Sequence, residues 1–375
     1  MRVALDYTPA ISQIAGVGRY TRSLFNALRA ENEAGAEWTL WHSPVQRQEF
    51  EVPDDESITS IELPISARWS NLAWHRIGLP IPVERFTKQA DVVHGTDFVV
   101  PPSRAPSVVT VHDLSYAIYP DLAFPRLRRF LDRAVPRSID RAAKIIAVSE
   151  TTKRDLCECY EISPNRVDVI HHAADPLFEP PGTADVLAMQ AQFGLRKPYF
   201  IIVGTVEPRK DHKTLLAAFA RVREQHPEAS LVIVGRKGWL ADDIMEAIGQ
   251  AAAESPVYHL QGISDGMLPA LYAGSTALVY PSRYEGFGLP LLEAMASGTA
   301  VVASDTPAHR EVAGDAARLA PVGDADAFSD HMLELLEHED VRSNLLKRGH
   351  EHVTTFSWKQ TAQEHLRIYR DVSNA

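Results

Sequence analysis

The sequence predicts an α/β protein built from two Rossmann-like, doubly wound domains. Three observations lead there. Short apolar, β-prone runs alternate with amphipathic helical stretches along the whole chain, the pattern of parallel sheets with crossover helices. At 375 residues the chain is too long for one small core and suits two domains of ordinary size. A Pro- and Gly-rich stretch, Asp175-Pro176-Leu177-Phe178-Glu179-Pro180-Pro181-Gly182-Thr183, parts two series of strands. The expected division is 1–175, 176–355 and a last helical segment, 356–375.

In the first half the strand candidates are Val3–Leu5, Ala90–His94, Ser107–Val111, Lys144–Val148 and Arg166–Ile170, with helices over Tyr20–Arg29 and Arg126–Arg141. In the second half they are Tyr199–Val203, Ser230–Val234, Val257–Leu260, Ala277–Val279 and Ala300–Ala303. Helices over Thr214–Arg223, Asp242–Ala253, Met267–Ala273 and Ala325–Glu337 intervene. Ser357–Val372 reads as a final helix. Two such domains facing each other are expected to form a ligand cleft at their strand C-termini.

Composition narrows the function. With 45% hydrophobic and 23% charged residues the chain is ordinary globular protein. Cys157 and Cys159 make no disulfide framework or zinc pattern, which fits a reducing compartment. The start MRVALDYTPA lacks the parts of a signal peptide, and no apolar run approaches membrane-spanning length. A net charge of −11 argues against nucleic acid as a partner. The expected location is cytoplasmic.

The most informative stretch runs from Tyr280 to Gly298, YPSRYEGFGLPLLEAMASG. Thr276–Tyr280 reads as a buried strand. Gly286 and Gly288 let the backbone turn tightly and approach a ligand. Pro290 suits the first helical turn, Gly298 stops that helix, and Thr299–Ser304 reads as the next strand. Free amides at the loop and helix mouth favour an anion or a polar ligand. Glu285 in the loop and Glu293 on the helix, eight positions apart, each accept two hydroxyl hydrogen bonds, which suits a sugar and a ribose.

This run closely resembles the E-x7-E signature of retaining glycosyltransferases of the two-Rossmann (GT-B) architecture. That large, family 4-like group includes sucrose synthases and bacterial mannosyltransferases. The resemblance implies that Glu293 holds ribose hydroxyls. Glu285 and the amides of Gly286, Phe287, Gly288 and Leu289 hold the hexose. It implies that Arg209 and Lys210 in Gly204-Thr205-Val206-Glu207-Pro208-Arg209-Lys210-Asp211 neutralise the leaving diphosphate without a divalent metal. The Gly16-Val17-Gly18-Arg19-Tyr20 loop would cover the donor phosphates and face the acceptor, with Arg19 as a phosphate or acceptor contact. His112, at the end of Val108–Val111, would bond a hydroxyl of the transferred sugar. Asp113 either orients His112 or caps the next segment. Ser149 is near the cleft by resemblance, but its own chemistry favours a helix N-cap. Gly235 would lie on the nucleotide side, and Gly262 with Ile263 at the base. The last helix would cross back onto the first domain, and closure would exclude water.

No cofactor is expected beyond the nucleotide-diphospho-sugar substrate, and no metal. The Gly204–Asp211 stretch resembles mannosyltransferases using GDP-mannose, with UDP-glucose and UDP-N-acetylglucosamine as alternatives. Two other classes stay open. One is a non-catalytic sugar-nucleotide-binding regulatory subunit. The other is a Rossmann dehydrogenase, against which stands Thr21 where the third fingerprint glycine would fall.

The acceptor side offers a further cue. Pro125–Lys144 holds seven basic residues against two acidic, with Leu127, Phe130, Leu131, Ala134 and Val135 between them. Arg68–Ile77 mixes Trp with Arg. Such faces either sit on anionic lipid or pack a core stripe beneath a solvated charged back. The first reading suits a saccharide or lipid-linked saccharide acceptor at the inner membrane face.

Overall fold

The computed structural model describes residues 1–14, 16–32, 35–45, 50–53 and 57–374. They divide into two compact units, Met1–His172 with Ser357–Ala375, and Ala173–Phe356.

The first unit is built on β1 (Arg2–Asp6), β2 (Glu37–His42), β3 (Ile58–Glu62), β4 (Val92–Gly95), β5 (Ser107–Val111), β6 (Lys144–Ala147) and β7 (Val167–Val169), in the order β3-β2-β1-β4-β5-β6-β7. All neighbours are parallel, with Val3 opposite Trp38 on one side and Val92 on the other. The strand order changes direction between β1 and β4, so this is where crossover helices leave the strand ends uncovered. β2 and β3 were not foreseen. EWTLWH carries a charge, a Thr and a His among its aromatics. ITSIE is a five-residue edge strand in which only Ile58 is buried.

The second unit has β8 (Tyr199–Val203), β9 (Ser230–Val234), β10 (Val257–Leu260), β11 (Ala277–Tyr280), β12 (Ala300–Ser304) and β13 (Arg318–Ala320), in the order β10-β9-β8-β11-β12-β13 and again all parallel. Central strands such as YFIIV and SLVIV are continuous apolar runs because helices cover both faces. The three-residue β13 was missed for its brevity. Here the order reverses between β8 and β11.

The Trp358–Ser373 helix starts at Ser357, whose hydroxyl accepts from the Gln360 amide, and packs into the first unit. Ala362, Leu366, Ile368, Tyr369 and Val372 share a core with Tyr20, Leu24, Phe25 and Leu28. A buried polar seam runs beneath it. His94 shares hydrogen bonds with the Tyr369 hydroxyl (2.7 Å) and the Thr110 hydroxyl (2.8 Å), and Tyr20 with His365 (3.2 Å). Burial pushes His94 well below the ordinary histidine range and His365 down to about 4, so the seam is made of neutral rings.

Candidate active site

The densest charge cluster of the second unit stands at its switch point, where the loops after β8 and β11 meet. The β8 loop first runs along the β9 loop. Gly204 donates its N–H to Val234 and Val206 to Arg236, both at 2.9 Å. A Cβ on Gly235 would lie 1.9 Å from the Gly204 carbonyl oxygen, so this position needs glycine for loop packing. A 3-10 turn over Pro208–Lys210 then presents two cations.

Both cations are paired across the sheet. Arg209 donates from Nη1 to Glu285 Oε2 (2.6 Å) and to the Tyr284 carbonyl (2.9 Å), and from Nη2 to Glu207 Oε1 (2.7 Å). Lys210 Nζ donates to Glu285 Oε1 (2.6 Å) and to the Tyr280 hydroxyl. Lys210 and Glu285 are each 8% exposed. Burial alone would raise the Glu285 carboxyl, but Arg209 and Lys210 outweigh it and hold it well below the usual carboxylate range. Burial lowers Lys210, opposed by Glu285. The cluster is two carboxylates facing two cations in a low-dielectric pocket. It is therefore close to neutral as it stands, and an incoming anion with hydroxyls can take over part of the pairing.

The Glu285 loop ends at Gly288, whose φ of 109° leads into the Leu289–Ala296 helix with Pro290 in its first turn. Gly286, Phe287 and Gly288 are buried and Leu289 half-buried. The Phe287 ring packs edge-on to Phe356, so its side chain belongs to the core. Beneath Gly288 lies His309, 3.3 Å from where a Cβ would stand. Its Nδ1 bonds the Ser304 carbonyl at 2.8 Å, and its Nε2 is buried with no partner among the described residues. Glu293 is 2% exposed and accepts from the Tyr272 hydroxyl at 3.2 Å. Gly262 (φ 72°) and half-buried Ile263 follow β10, at the sheet edge.

In the first unit, β1, β4 and β5 deliver a second constellation to adjacent strand ends. His112 donates from Nε2 to the Thr96 carbonyl (2.8 Å), and the Thr96 hydroxyl donates to the Asp6 carbonyl (2.8 Å). Burial lowers His112, against the pull of Asp97. Asp113 accepts from the Ser115 N–H (2.8 Å), the capping alternative of its two readings. The carboxylate that acts most on His112 is Asp97, which sequence reasoning missed. A tight turn puts it there. Phe98 has φ +61° and Val99 N–H donates back to the Asp97 carbonyl at 2.7 Å, a strained arrangement for an aromatic residue. Gln13 donates to Asp97 Oδ2 at 3.1 Å. Burial raises Asp97, and raises Asp6 to about 7.

Gly16 (φ 61°) caps the Val17–Ala30 helix, but Gly18 and Arg19 lie inside the helix rather than in a loop, and Arg19 is only 8% exposed. A Cβ on Gly18 would stand 2.0 Å from the Gln13 carbonyl oxygen, which is why the first turn needs glycine. Ser149 is an N-cap, its hydroxyl accepting from the Thr152 N–H. Two short motif spellings, D-x-D and G-x-S-x-G, have local structural roles here. Asp324-Ala325-Asp326 is a D-x-D tripeptide whose Asp324 carboxylate caps a helix through the Asp326 and Ala327 amides. Gly262-Ile263-Ser264-Asp265-Gly266 reads G-x-S-x-G, but Ser264 has ordinary extended backbone and leads a 3-10 turn. Among the described residues no group of three or more His, Cys, Asp or Glu is placed to hold a metal ion, and no helix is long and apolar enough to cross a membrane.

The basic helix, Pro125–Arg141, divides its work. Leu131, Ala134, Val135, Ser138 and Ile139 face the core. Arg137 donates to the His75 and Arg76 carbonyls, and Arg141 to that of Trp74, so these two cations anchor the neighbouring segment. Leu127 stays 42% exposed, Phe124 41%, Trp69 62% and Ile77 59%, so an aromatic and aliphatic fringe does reach solvent.

The paired Arg–Lys–Glu cluster stands at the switch point of a parallel sheet, above a glycine turn that opens a helix, on a chain of two such units, and comparison with known proteins makes that chain a nucleotide-sugar glycosyltransferase of the GT-B fold. Residues 14–176 match the glycosyltransferase family 4 model and 187–352 that of glycosyl transferases group 1; the chain belongs to these families. It is 28% identical to the O-antigen chain mannosyltransferase B of Escherichia coli, over 99% of this chain and 100% of that protein. It is 34% identical to the phosphatidyl-myo-inositol mannosyltransferase of Mycolicibacterium smegmatis, over 61% of this chain and 58% of that one. Its fold is that of sucrose-phosphate synthase from Thermosynechococcus elongatus, with a TM-score of 0.78 at 22% identity, covering 99% of both chains.

Proposed function

We propose that this enzyme is a retaining, metal-independent mannosyltransferase that moves mannose from GDP-mannose to a saccharide or lipid-linked saccharide. The observation that carries the reading is the buried Arg209–Lys210–Glu285 cluster beside Gly288. Its cations replace a metal at the leaving diphosphate, while Glu285 and the 286–289 amides take the hexose and Glu293 the ribose. His112 meets a sugar hydroxyl through Nδ1, since Nε2 is committed to Thr96. In the transfer, the C1–oxygen bond to the diphosphate breaks and a bond from C1 to the acceptor oxygen forms on the same face. The acceptor proton passes to the departing phosphate oxygen. The mannosyltransferase names of the two relatives support mannose, and the first supports an O-antigen type of polysaccharide. The exposed Trp69, Ile77, Phe124 and Leu127, together with the exposed Arg126, Arg129 and Arg133, support peripheral contact with an anionic membrane face.

The test is a donor panel of GDP-mannose, GDP-fucose, UDP-glucose, UDP-N-acetylglucosamine and UDP-galactose in excess EDTA. GDP-mannose alone should bind and turn over, giving an α-mannoside. Turnover of a UDP-sugar overturns the donor assignment, a β-linked product overturns retention, and activity only with added metal overturns metal independence.

A further inference from the structure

We propose that Tyr280 is a positioning residue for Lys210: its phenol oxygen fixes the ammonium at the mouth of the β8 loop, where the leaving diphosphate is neutralised. The inference rests on the diphosphate role given to Lys210 above.

Tyr280 closes β11, and β11 is hydrogen-bonded to β8 in the sheet, so the phenol is held by a rigid element. The ring is 1% exposed. Its hydroxyl accepts from Lys210 Nζ, and the ammonium lies 4.6 Å from the ring centroid, within range of a cation–π contact. Both groups face bare backbone. A Cβ built on Gly204 would lie 3.6 Å from Lys210 Cε and 3.9 Å from the Tyr280 hydroxyl, so the ammonium stands beside the bare backbone of the β8 loop.

The chemistry separates the two acceptors of Lys210. Glu285 neutralises the ammonium, and its oxygens are also the ones a hexose would engage. A phenol holds the ammonium without cancelling its charge, so the positive charge stays available to phosphate when Glu285 turns to the sugar. A lysine stem is otherwise flexible. For packing alone, Phe, Val or Leu would end this apolar strand equally well; the hydroxyl is the part that packing leaves unexplained.

The charged and titratable groups around Lys210 are Glu285, Arg209 and Glu207, with His212 and His309 behind. Burial pushes the Tyr280 phenol well above its ordinary value, so it stays neutral and able to accept wherever the ammonium is charged. Removing the acceptor leaves the ammonium less stabilised, and Lys210 then loses its proton at lower pH.

The experiment compares wild type, Tyr280→Phe and Lys210→Ala as full-length enzymes, reading kcat and KM for the donor against pH, with melting curves as a control. Tyr280→Phe should lower kcat about 10- to 100-fold with little change in donor KM, and move the alkaline limb of the kcat profile to lower pH. Wild-type kcat in Tyr280→Phe beside a dead Lys210→Ala overturns the role of Tyr280 and spares that of Lys210. So does a kcat loss with an unmoved limb, which marks a packing effect. Full turnover by Lys210→Ala overturns the diphosphate reading itself.

Discussion

Replacing Glu285 by Gln keeps the side chain's shape and removes its charge. In the native cluster two carboxylates face Arg209 and Lys210, with both Glu285 contacts at 2.6 Å and the side chains of Glu285, Lys210 and Arg209 only 10%, 10% and 14% exposed. The variant leaves two buried cations with Glu207 alone. Breaking a buried pair by removing one partner costs about 3–5 kcal/mol, because the remaining charge is uncompensated. At about 2–4 °C per kcal/mol for a domain of this size, the melting temperature of the second unit should fall by roughly 6–20 °C near neutral pH. Calorimetry or far-UV circular dichroism reads this directly. Added GDP or pyrophosphate should restore more of the loss in the variant than it adds to wild type, because the anion supplies the missing countercharge. The pH dependence has a definite sign. Glu285's carboxyl is depressed in the folded state, so its contribution is present above the unfolded value of about 4.3 and is lost as pH falls through the folded value. The gap between wild type and variant should therefore close in acid. A variant that melts within about 2 °C of wild type near neutral pH would refute the reasoning, since the cluster would then hold no net stabilisation from Glu285.

Three further outcomes are expected. Glu293→Gln should weaken GDP binding about 10- to 100-fold with a smaller effect on melting; calorimetric titration checks it, and normal affinity with a large melting loss would mark Glu293 as a structural partner of Tyr272. His365 is held down to about 4 by burial, so the unfolded chain binds more protons below about 6.5 and the first unit loses stability as pH falls from there. His365→Gln should flatten that slope by up to about 1.4 kcal/mol per pH unit in urea titrations, and an unchanged slope would assign it to His94 and His172 instead. Gly18→Ala should destabilise the first unit despite alanine's better helix propensity, because its Cβ meets the Gln13 carbonyl at 2.0 Å; an unchanged or raised melting temperature would show that the Gln13 turn yields.

Much of the architecture is legible in the chain because parallel strands covered on both faces are written as short, unbroken apolar runs. YFIIV, SLVIV and ALVY announce themselves. β2 carries polar residues among its aromatics, while β3 and β13 lie on sheet edges and are short, so their signal does not rise above that of a loop. The strand–turn–helix frame around Glu285 is local, and Pro290, Gly288 and Gly298 encode it by backbone preference alone. By itself, then, the sequence determined the two sheets' central strands, the glycine turn, the helix behind it and the residue types a nucleotide sugar requires.

What tertiary structure decided is who faces whom. Arg209 and Lys210 meet Glu285 across 76 and 75 positions, because crossover connections bring β8 and β11 side by side. Asp97 rather than Asp113 provides the main carboxylate field on His112, because a tight turn at Phe98 aims it there while Asp113 is spent on the Ser115 amide. Tyr280 reads as one more strand residue until the fold places Lys210 against it. Spacing along the chain reports what one element does with its own backbone. Charge pairing between strand ends depends on sheet order, and sheet order is set by how the whole chain buries its apolar faces.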